Sequence, residues 1–249
     1  MLFRSSILFN NKKIVPKEFN KIASKYDFAT AMSHGYQVDL NKSGSLLQLK
    51  GDELVLDLCC GTGKSTVAFK DKITTGKIIC VDNSEGMLAV ASEKFANEIK
   101  QGKIEISLQD AMNLNFAPNS VDAIFMAYGL RNMPDYSTCI ENLYRILKPN
   151  GQLVIHDYSL SNNPISKPLW FILGYGFIVP FCTVVSGSST IYTYLIKSVL
   201  KFLQPNEVKS LLENKGFKNH RMNHGGSWKF DFGKVKYVAA VHSSSFADG

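Results

Sequence analysis

Val55-Leu56-Asp57-Leu58-Cys59-Cys60-Gly61-Thr62-Gly63-Lys64-Ser65-Thr66 is the stretch that decides the fold of this chain. Its first four residues have the character of a buried strand, and they run into a small, glycine-bearing turn that opens a helix. Because glycine has no Cβ, backbone N–H groups in such a turn can closely approach a ligand. The stretch therefore predicts a cofactor loop.

Acidic residues end two of the apolar runs that follow the loop. Asp82 follows the run 78–81, nineteen residues after Gly63, where a carboxylate can accept both hydroxyls of a ribose. Asp110 follows the run 104–109, where it can accept a hydrogen bond from an adenine amino group. The carboxyl ends of parallel strands share one edge of a sheet, so these two carboxylates are predicted to border one adenosine site.

The glycine pattern narrows the choice of ligand. A dinucleotide-binding loop usually carries a third glycine that lets the pyrophosphate rest on the helix end, and here that position is absent. Gly63-Lys64-Ser65 also lacks the glycine spacing of a phosphate-binding P-loop. An adenosine that carries a sulfonium group, S-adenosylmethionine, fits this loop better than either.

The chain has 249 residues, which is long enough for one well-buried α/β domain and short for two. Its hydrophobic content of 45% and charged content of 20% are ordinary for a globular protein. The net charge of +7 comes from dispersed lysines, without the basic runs that favour nucleic acid as a partner. We attribute this charge to the compartment or to contact with an anionic membrane surface.

Five cysteines without paired Cys-x-x-Cys spacing predict neither a disulfide framework nor a zinc site. This usage is typical of a reducing compartment, and the adjacent Cys59 and Cys60 are predicted to pack beneath the cofactor loop. No ligand pattern for another metal is present, and the sequence leaves open whether a divalent metal is required.

The two ends of the chain differ in character from the rest. Residues 1–15 contain three basic residues, two serines and no acid, which is typical of an amphipathic mitochondrial transit segment; a short tail is the alternative. We predict a mitochondrial protein on the matrix side of the inner membrane. A single domain is predicted over residues 16–242, followed by a tail over 243–249.

Between these ends the pattern is that of a layered α/β domain. Residues 16–49 are predicted to be helical, with Phe19 and Tyr26 on a face that covers the pocket. Residues 54–159 alternate strand and helix signals, which predicts a βαβαβαβαβ unit with a mostly parallel sheet. Residues 217–222 and 235–241 predict a final antiparallel strand pair.

Residues 168–185 form an uncharged stretch of eighteen residues. Gly174, Gly176 and Pro180 are predicted to interrupt it, so a membrane span is disfavoured. We expect apolar helices that line a lipophilic pocket and touch the membrane interface. They would form part of a helical lid over about residues 164–204.

Several motifs together resemble the UbiE-type quinone methyltransferases, class I enzymes that use S-adenosylmethionine. They are PKEFNKIASKYD, VLDLCCGTG, DAMNLNFAPNSVDAIFMAYGLRNMPDY, YRILKPNGQLVIHDYS and YTYLIKSVLKF, and they cover nearly the whole chain after Pro16. The resemblance implies an α/β class I methyltransferase fold: a Rossmann-like, doubly wound and mostly parallel sheet with an antiparallel C-terminal strand pair and a helical lid. It also implies a prenylated quinone, ubiquinone, as the substrate.

The resemblance further implies roles for individual residues. The cofactor contacts that carry over are Thr62, Asp82, Asp110 and Ala111. The polar groups expected beside the reacting quinone carbon are Tyr26, Arg131 and Asn132. The loop and the strand ends complete the expected cofactor site with Asp57, Gly61, Gly63, Asn83 and Ala127.

Three departures from the family pattern lie near this predicted site. Lys64 stands where the family normally has an acid, Tyr36-Gln37-Val38-Asp39-Leu40 replaces a His-Arg-x-Trp-Lys stretch, and His156-Asp157-Tyr158-Ser159 replaces Leu-Glu-x-Ser. These changes are similar to the RquA-type proteins of rhodoquinone biosynthesis, which replace a ubiquinone methoxy group by an amino group. A lysine near the methionyl end can change which atom is presented to the quinone, which would make Lys64 catalytic; a solvent-facing lysine is the alternative.

Three functions are therefore considered. The leading hypothesis is S-adenosylmethionine-dependent conversion of ubiquinone to rhodoquinone at the surface of the inner membrane. The second is a C-methyltransferase of ubiquinone or menaquinone biosynthesis, in which a base removes a ring proton as the ring carbon attacks the sulfonium methyl. The third is a non-catalytic quinone-binding subunit of a biosynthetic complex, against which the intact loop and Asp82 argue. The sequence carries no signal for the oligomeric state.

Overall fold

The computed structural model of this chain describes residues 16–20, 23, 35–160, 164–187, 189–224 and 235–242. The predicted targeting segment 1–15, the predicted site residue Tyr26 and the tail 243–249 lie outside the described residues. Residues 16–20 and 23 are helical, in agreement with the helix predicted for this region.

A seven-stranded sheet forms the centre of the fold. Its strands are β1 (Leu54–Leu58), β2 (Lys77–Asp82), β3 (Ile104–Leu108), β4 (Val121–Ala127), β5 (Leu147–Tyr158), β6 (Phe217–His224) and β7 (Val235–His242). They lie in the order β3-β2-β1-β4-β5-β7-β6. The first five pair in parallel, and β7 runs antiparallel to both β5 and β6. The predicted mostly parallel sheet with an antiparallel C-terminal pair is confirmed.

Helices connect the strands and cover the sheet. They are α1 (Tyr36–Gly44), α2 (Lys64–Val67), α3 (Glu85–Lys94), α4 (Ala96–Lys100), α5 (Tyr136–Ile146), α6 (Ser166–Leu173), α7 (Val179–Ser186), α8 (Thr190–Lys201) and α9 (Pro205–Asn214). Short 3-10 turns occupy Lys70–Lys72 and Leu130–Asn132, and a π-helical turn occupies Gly174–Ile178. Asp135 caps α5, because its carboxylate accepts hydrogen bonds from the backbone N–H groups of Ser137 and Thr138.

The central strands are buried on both faces. Leu56 and Met126 belong to an apolar cluster that includes the inner face of α5, whereas Val55 and Phe125 belong to a cluster that includes residues of α1 and α3. Alternate residues of a strand point to opposite faces of the sheet, so both faces of β1 and β4 are covered. These strands form a rigid base for the loops at their carboxyl ends.

The strand order opens a crevice at the carboxyl ends of β1 and β4. β1 lies between β2 and β4, so the chain continues towards one edge of the sheet from β1 and towards the other from β4. Ligands of open α/β sheets bind at such a switch point. The glycine loop after β1 and the turn 129–132 after β4 both lie at this crevice.

One connection differs from the predicted alternation of strands and helices. Residues 109–120, between β3 and β4, form turns and bends and contain no helix, so the helix expected there is wrong. Asn113, Asn115 and Pro118 favour turns over helices, and Asn119 has a left-handed φ of +53°. The segment instead carries Asp110 along the rim of the crevice.

The apolar stretch also differs from the prediction. Gly174, Gly176 and Pro180 do not interrupt it, because α6, the π-helical turn and α7 continue as one helix. Among the described helices, Ser166–Val185 is long and apolar enough to cross a membrane by length and composition. Gly174 serves close packing here, since a Cβ at this position would lie 2.6 Å from Cδ1 of Ile196 in α8. The π-helical turn places the glycines and Pro180 within a continuous helix.

Candidate active site

The glycine loop between β1 and α2 has the backbone conformation that its sequence favours. Gly61 and Gly63 have φ values of +56° and +79°, in the left-handed region that suits glycine. A Cβ on Gly61 would meet no atom within 4 Å, whereas one on Gly63 would overlap the ring of Phe95. Gly61 therefore keeps the loop open towards the crevice, and Gly63 lets α2 begin directly against the end of α3.

Asp57 supports this loop from below. Its side chain is fully buried, and its Oδ2 accepts hydrogen bonds from Ser65 Oγ at 2.8 Å and from Thr66 Oγ1 at 2.6 Å. Burial raises the pKa of Asp57 to about 7. The carboxyl group fastens the first turn of α2 to β1, so its contribution to cofactor binding is to hold the loop in shape.

Asp82, at the end of β2, connects the loop to the start of α3. Its Oδ2 accepts the backbone N–H of Gly61 at 2.9 Å, and its Oδ1 accepts that of Ser84 at 3.0 Å. Burial raises the pKa of this carboxyl, an effect that the backbone donors oppose. A carboxylate has about four acceptor positions, so each oxygen retains capacity for one hydroxyl of a ribose. The geometry thus fits the predicted adenosine ligand.

A cavity of about 400 Å³ lies over the crevice and joins the glycine loop to the turn 129–132. Seven of the predicted cofactor contacts line it: Gly61, Thr62, Asp82, Asn83, Asp110, Ala111 and Ala127. The predicted substrate-side residues Lys64, Arg131 and Asn132 line it as well. Asp57 and Gly63 are not part of this lining, and Tyr26 lies outside the described residues. The volume is within the usual range for a small-molecule site.

The adenine side of the cavity combines a carboxylate with apolar side chains. Asp110 is exposed at the rim, and its Oδ1 accepts the backbone N–H of Met112 at 2.9 Å. Ala111 is buried beside it, and Met87 and Met112 complete this part of the lining. A flat base can pack against such apolar groups while its amino group reaches the carboxylate.

Arg131 anchors the turn after β4 to the end of β5. Its Nη1 donates to Asp157 Oδ1 at 2.5 Å and to the backbone carbonyl of Tyr128 at 2.9 Å, while its backbone N–H donates to Asp157 Oδ2 at 3.0 Å. The side chains of Arg131 and Asp157 are 7% and 3% exposed. A buried guanidinium held in this way fixes the shape of the cavity wall beside Asn132.

A buried histidine joins the same wall to α1. His156 is fully buried at the end of β5, with Nδ1 at 2.8 Å from Ser43 Oγ and Nε2 at 2.8 Å from the hydroxyl of Tyr128. Burial, together with the charge of Arg131, lowers the pKa of His156 to about 3, so the ring stays neutral. Tyr128 itself has a φ of +56°, an unusual conformation for an aromatic residue and one that recurs at functional sites.

The ring of Tyr128 packs against two further aromatic rings. Tyr128 stacks on Tyr36 with ring centroids 5.1 Å apart and packs on Tyr158 at 5.0 Å. Lys64 Nζ lies 5.5 Å from the centre of the Tyr36 ring, at cation–π distance. Lys64 therefore packs over the cavity wall. The fold brings the three departures from the family pattern into one cluster, since Tyr36, His156 and Tyr158 contact Tyr128 and Lys64 packs on Tyr36.

A sequence profile described as the ubiE/COQ5 methyltransferase family matches residues 7–231. The chain belongs to the ubiE/COQ5 methyltransferase family. This membership confirms the resemblance, and it confirms both the predicted enzyme class, a methyltransferase-type transferase, and the predicted cofactor, S-adenosylmethionine.

Two proteins of the same name are similar to this family member over most of its length. It is 35% identical over 222 residues to a protein named demethylmenaquinone methyltransferase from Lactococcus lactis, covering 87% of each chain. It is 32% identical over 215 residues to a protein of the same name from Lactobacillus johnsonii, covering 84% of this chain and 86% of the relative.

Solved structures of low sequence identity share the fold. The [4+2]-cyclase SpnF aligns with a TM-score of 0.70 and 13% identity, over 93% of this chain and 96% of its own. A methyltransferase from Aquifex aeolicus, titled as SAM dependent, aligns with a TM-score of 0.59 and 20% identity, over 86% and 97%. The class I methyltransferase fold of this family member is confirmed.

Acid conditions are expected to destabilise this family member through His156. The pKa of the histidine is about 3 in the folded protein against 6.5 in the unfolded chain, so between these values the unfolded chain binds a proton that the folded protein does not. The contribution of neutral His156 to the free energy of unfolding is complete above about pH 6.5. It decreases as the pH falls, by about 2 kcal/mol at about pH 5. Urea unfolding at neutral pH and at about pH 5 measures this loss.

The His156→Gln variant is the control for this prediction, because an amide can bond both neighbours without titrating. Its acid loss should be smaller than that of the wild type by about the same 2 kcal/mol. Asp57 has a raised pKa, which stabilises the folded state as the pH falls and so opposes the effect of His156. Its contribution is the same in the wild type and in His156→Gln, so it cancels in the difference between them. Equal losses in the two proteins would contradict the assignment.

Proposed function

We propose that this chain is an S-adenosylmethionine-dependent C-methyltransferase that acts on the ring of a demethylated, prenylated quinol. The observation that carries the proposal is a continuous cavity that joins the cofactor side, at Asp82, to the turn of Arg131 and Asn132. The similarity to two proteins named demethylmenaquinone methyltransferase supports this substrate class.

The residues of the cavity divide into two groups. When bound, S-adenosylmethionine supplies a methyl group that the ring carbon attacks, with the electron pair left on sulfur and the ring proton lost to a base. Asp82 and Asp110 hold the adenosine side, so the ring binds in the part between the glycine loop and the turn 129–132. There Asn132 presents a neutral carboxamide to a ring oxygen, and Arg131, paired with Asp157, keeps the turn in place.

Formation of S-adenosylhomocysteine tests this function. The purified protein should release S-adenosylhomocysteine only when a short-chain demethylmenaquinol is added, and the Asn132→Ala variant should do so much more slowly while it binds the cofactor normally. Release that does not depend on any quinol, or that is unaffected by Asn132→Ala, would contradict the proposal.

Replacement of a ubiquinone methoxy group by an amino group is the second candidate function. A specific observation favours it: the departures from the family pattern form one connected cluster, in which Tyr36 and the segment 156–158 contact Tyr128 and Lys64 packs on Tyr36. Substitutions without a role should instead scatter over the surface. Ubiquinone has a fully substituted ring, so its ring carbons carry no proton for a methyl group to replace.

An amino-labelled cofactor tests the second candidate. With ubiquinone as the acceptor and S-adenosylmethionine labelled with heavy nitrogen in its amino group, amination should place the label on the quinone. The Lys64→Gln variant should lower the yield if the ammonium group takes part, and unchanged yield would return Lys64 to a packing role. Ubiquinone recovered without a label would remove this candidate.

The apolar helix is proposed to hold the protein on a membrane surface without crossing it, on the matrix side of the mitochondrial inner membrane. Trp170 and Gly174, on one side of the helix, are buried. On the other side Phe171, Ile172 and Phe177 are 54%, 64% and 61% exposed. A helix that packs one face on its own domain and exposes an apolar face suits an in-plane position at the interface.

Replacing Phe177 by serine is expected to weaken binding to liposomes about tenfold or more, because a buried phenylalanine contributes about 1.5–3 kcal/mol. Leu108→Ser is the matched control, since Leu108 is 53% exposed on the edge strand β3, and its binding should be unchanged. Co-sedimentation with liposomes gives both values. Carbonate extraction should release the protein, and retention would favour a span. Equal binding of both variants would contradict this surface.

A further inference from the structure

The YTYLIKSVLKF segment places the side chain of Tyr194 beside the proposed ring site. The motif alone suggests no role for this side chain. The segment forms most of α8, which packs against the apolar helix through Ile196 and against the cavity wall through Tyr194. Tyr194 is 9% exposed, and its hydroxyl lies 3.1 Å from Asn132 Oδ1. This hydrogen bond joins the helical lid to the turn after β4.

The direction of this hydrogen bond follows from the neighbouring groups. Asn132 Nδ2 lies 2.9 Å from the backbone carbonyl of Tyr128, and a carbonyl oxygen can only accept. The nitrogen of the carboxamide must therefore face Tyr128, which leaves the oxygen facing Tyr194. Tyr194 must be the donor, since the amide oxygen can only accept.

We propose that Tyr194 is a positioning residue, which holds the carboxamide of Asn132 in the orientation that binds a ring oxygen of the substrate. The inference rests on the proposed function and adds a residue to its machinery. With one N–H directed to Tyr128 and one lone pair taken by Tyr194, the carboxamide retains a second N–H and a second lone pair. Asn132 lines the cavity, so these groups face the space where a ring would bind.

The environment of Tyr194 suits a permanent donor. Burial raises the pKa of its hydroxyl to about 12, although Arg131 opposes the shift. The hydroxyl therefore keeps its proton at every physiological pH. The orientation of Asn132 should not depend on pH through this contact.

The Tyr194→Phe variant tests the role, because it removes one hydroxyl and preserves the ring. We expect kcat/KM for the quinol to fall about three- to tenfold, the range for one neutral hydrogen bond, with the affinity for S-adenosylmethionine unchanged. Tyr175→Phe is the matched control. Tyr175 lies in the same lid, where its ring packs on Phe171 at 4.8 Å, and its loss of a hydroxyl should leave kcat/KM unchanged.

A double-mutant cycle separates positioning from general stabilisation. If Tyr194 acts through Asn132, then Tyr194→Phe should have no further effect on kcat/KM in an Asn132→Ala background. An additive loss, or a loss no larger than that of Tyr175→Phe, would overturn the proposal.

A readout that needs no turnover keeps this test independent of the proposed function. In protein labelled with heavy nitrogen at asparagine, the side-chain amide signal of Asn132 should move in Tyr194→Phe and stay in place in Tyr175→Phe. An unmoved Asn132 signal would overturn the positioning role even if the enzyme is active. A moved signal in a protein that methylates no quinol would support the contact and refute the proposed function alone.

Discussion

Replacement of Arg131 by alanine is expected to lower the free energy of unfolding by about 3–5 kcal/mol. The guanidinium lies 2.5 Å from Asp157 Oδ1, and both side chains are almost fully buried. Removing it leaves the Asp157 carboxylate in the interior without its counter-charge, and the backbone N–H groups of Arg131 and Tyr158 alone do not replace that charge. Urea unfolding at neutral pH measures the loss.

Two further variants show whether the effect comes from the buried pair. Lys209→Ala removes a partner of Glu213 from a pair that is 42% and 46% exposed, and the change should stay within about 0.5 kcal/mol. The double variant Arg131→Met, Asp157→Leu should recover much of the lost stability, because neither charge remains buried. A loss in Arg131→Ala as small as that in Lys209→Ala would contradict the account of this turn.

Replacement of Asp82 by alanine is expected to weaken the binding of S-adenosylmethionine by about 1.5–3 kcal/mol, or roughly ten- to a hundredfold. The carboxylate orders the loop through Gly61 and Ser84, and its remaining acceptor positions suit the two ribose hydroxyls. Its loss removes charge-assisted hydrogen bonds to the ligand and two supports of the loop at once. Titration calorimetry measures the change.

Asp122→Ala is the matched control for Asp82→Ala. Asp122 also accepts a backbone N–H, that of Leu54 at 2.9 Å, but it lies at the opposite end of the central strands. Both variants lose a carboxylate that accepts a backbone N–H from another segment, and only Asp82→Ala should lose cofactor affinity. Equal affinities in the two folded variants would remove the ribose assignment.

The cofactor side of the site could be predicted from the sequence because its signals are local. A buried strand, two glycines and an acid at the end of the next strand occupy fixed positions along the chain, and the parallel topology brings Gly61 and Asp82 together. The positions of Arg131 and Asn132 followed from the family resemblance, and the cavity includes both. Gly63 also follows a local rule, since its left-handed φ starts a helix against Phe95.

The rest of the site depends on contacts between distant residues. Ser43 and His156 are 113 residues apart, and Asn132 and Tyr194 are 62 apart, so no local pattern reveals either pair. Tyr128 follows directly after β4, and its position at a strand end was the signal that would have marked it. The departures at positions 36, 64 and 156–158 were visible in the sequence, and the fold supplies the reason why they belong together.

Two errors show where local patterns fail. The alternation of strands and helices predicted a helix in 109–120. This connection instead forms turns, which its asparagines and Pro118 favour, and Asp110 within it lies at the rim of the crevice. Gly174, Gly176 and Pro180 were predicted to interrupt the stretch 168–185, but it forms a continuous helix in which Gly174 packs closely on Ile196. In the first case the local turn preference of these residues decides the outcome, and in the second the packing of Gly174 on Ile196 prevails over the intrinsic preference of glycine.

Product analysis of a single mixed reaction tests the central claim most directly, namely that the cavity transfers a methyl group to the carbon of a quinol ring. The protein would receive short-chain demethylmenaquinol, ubiquinone and S-adenosylmethionine with a deuterated methyl group, and the quinones would be analysed by mass spectrometry. We expect one deuterated methyl group on a ring carbon of the demethylated quinone and none on ubiquinone. An aminated product of ubiquinone, with the demethylated quinone unchanged, would contradict it.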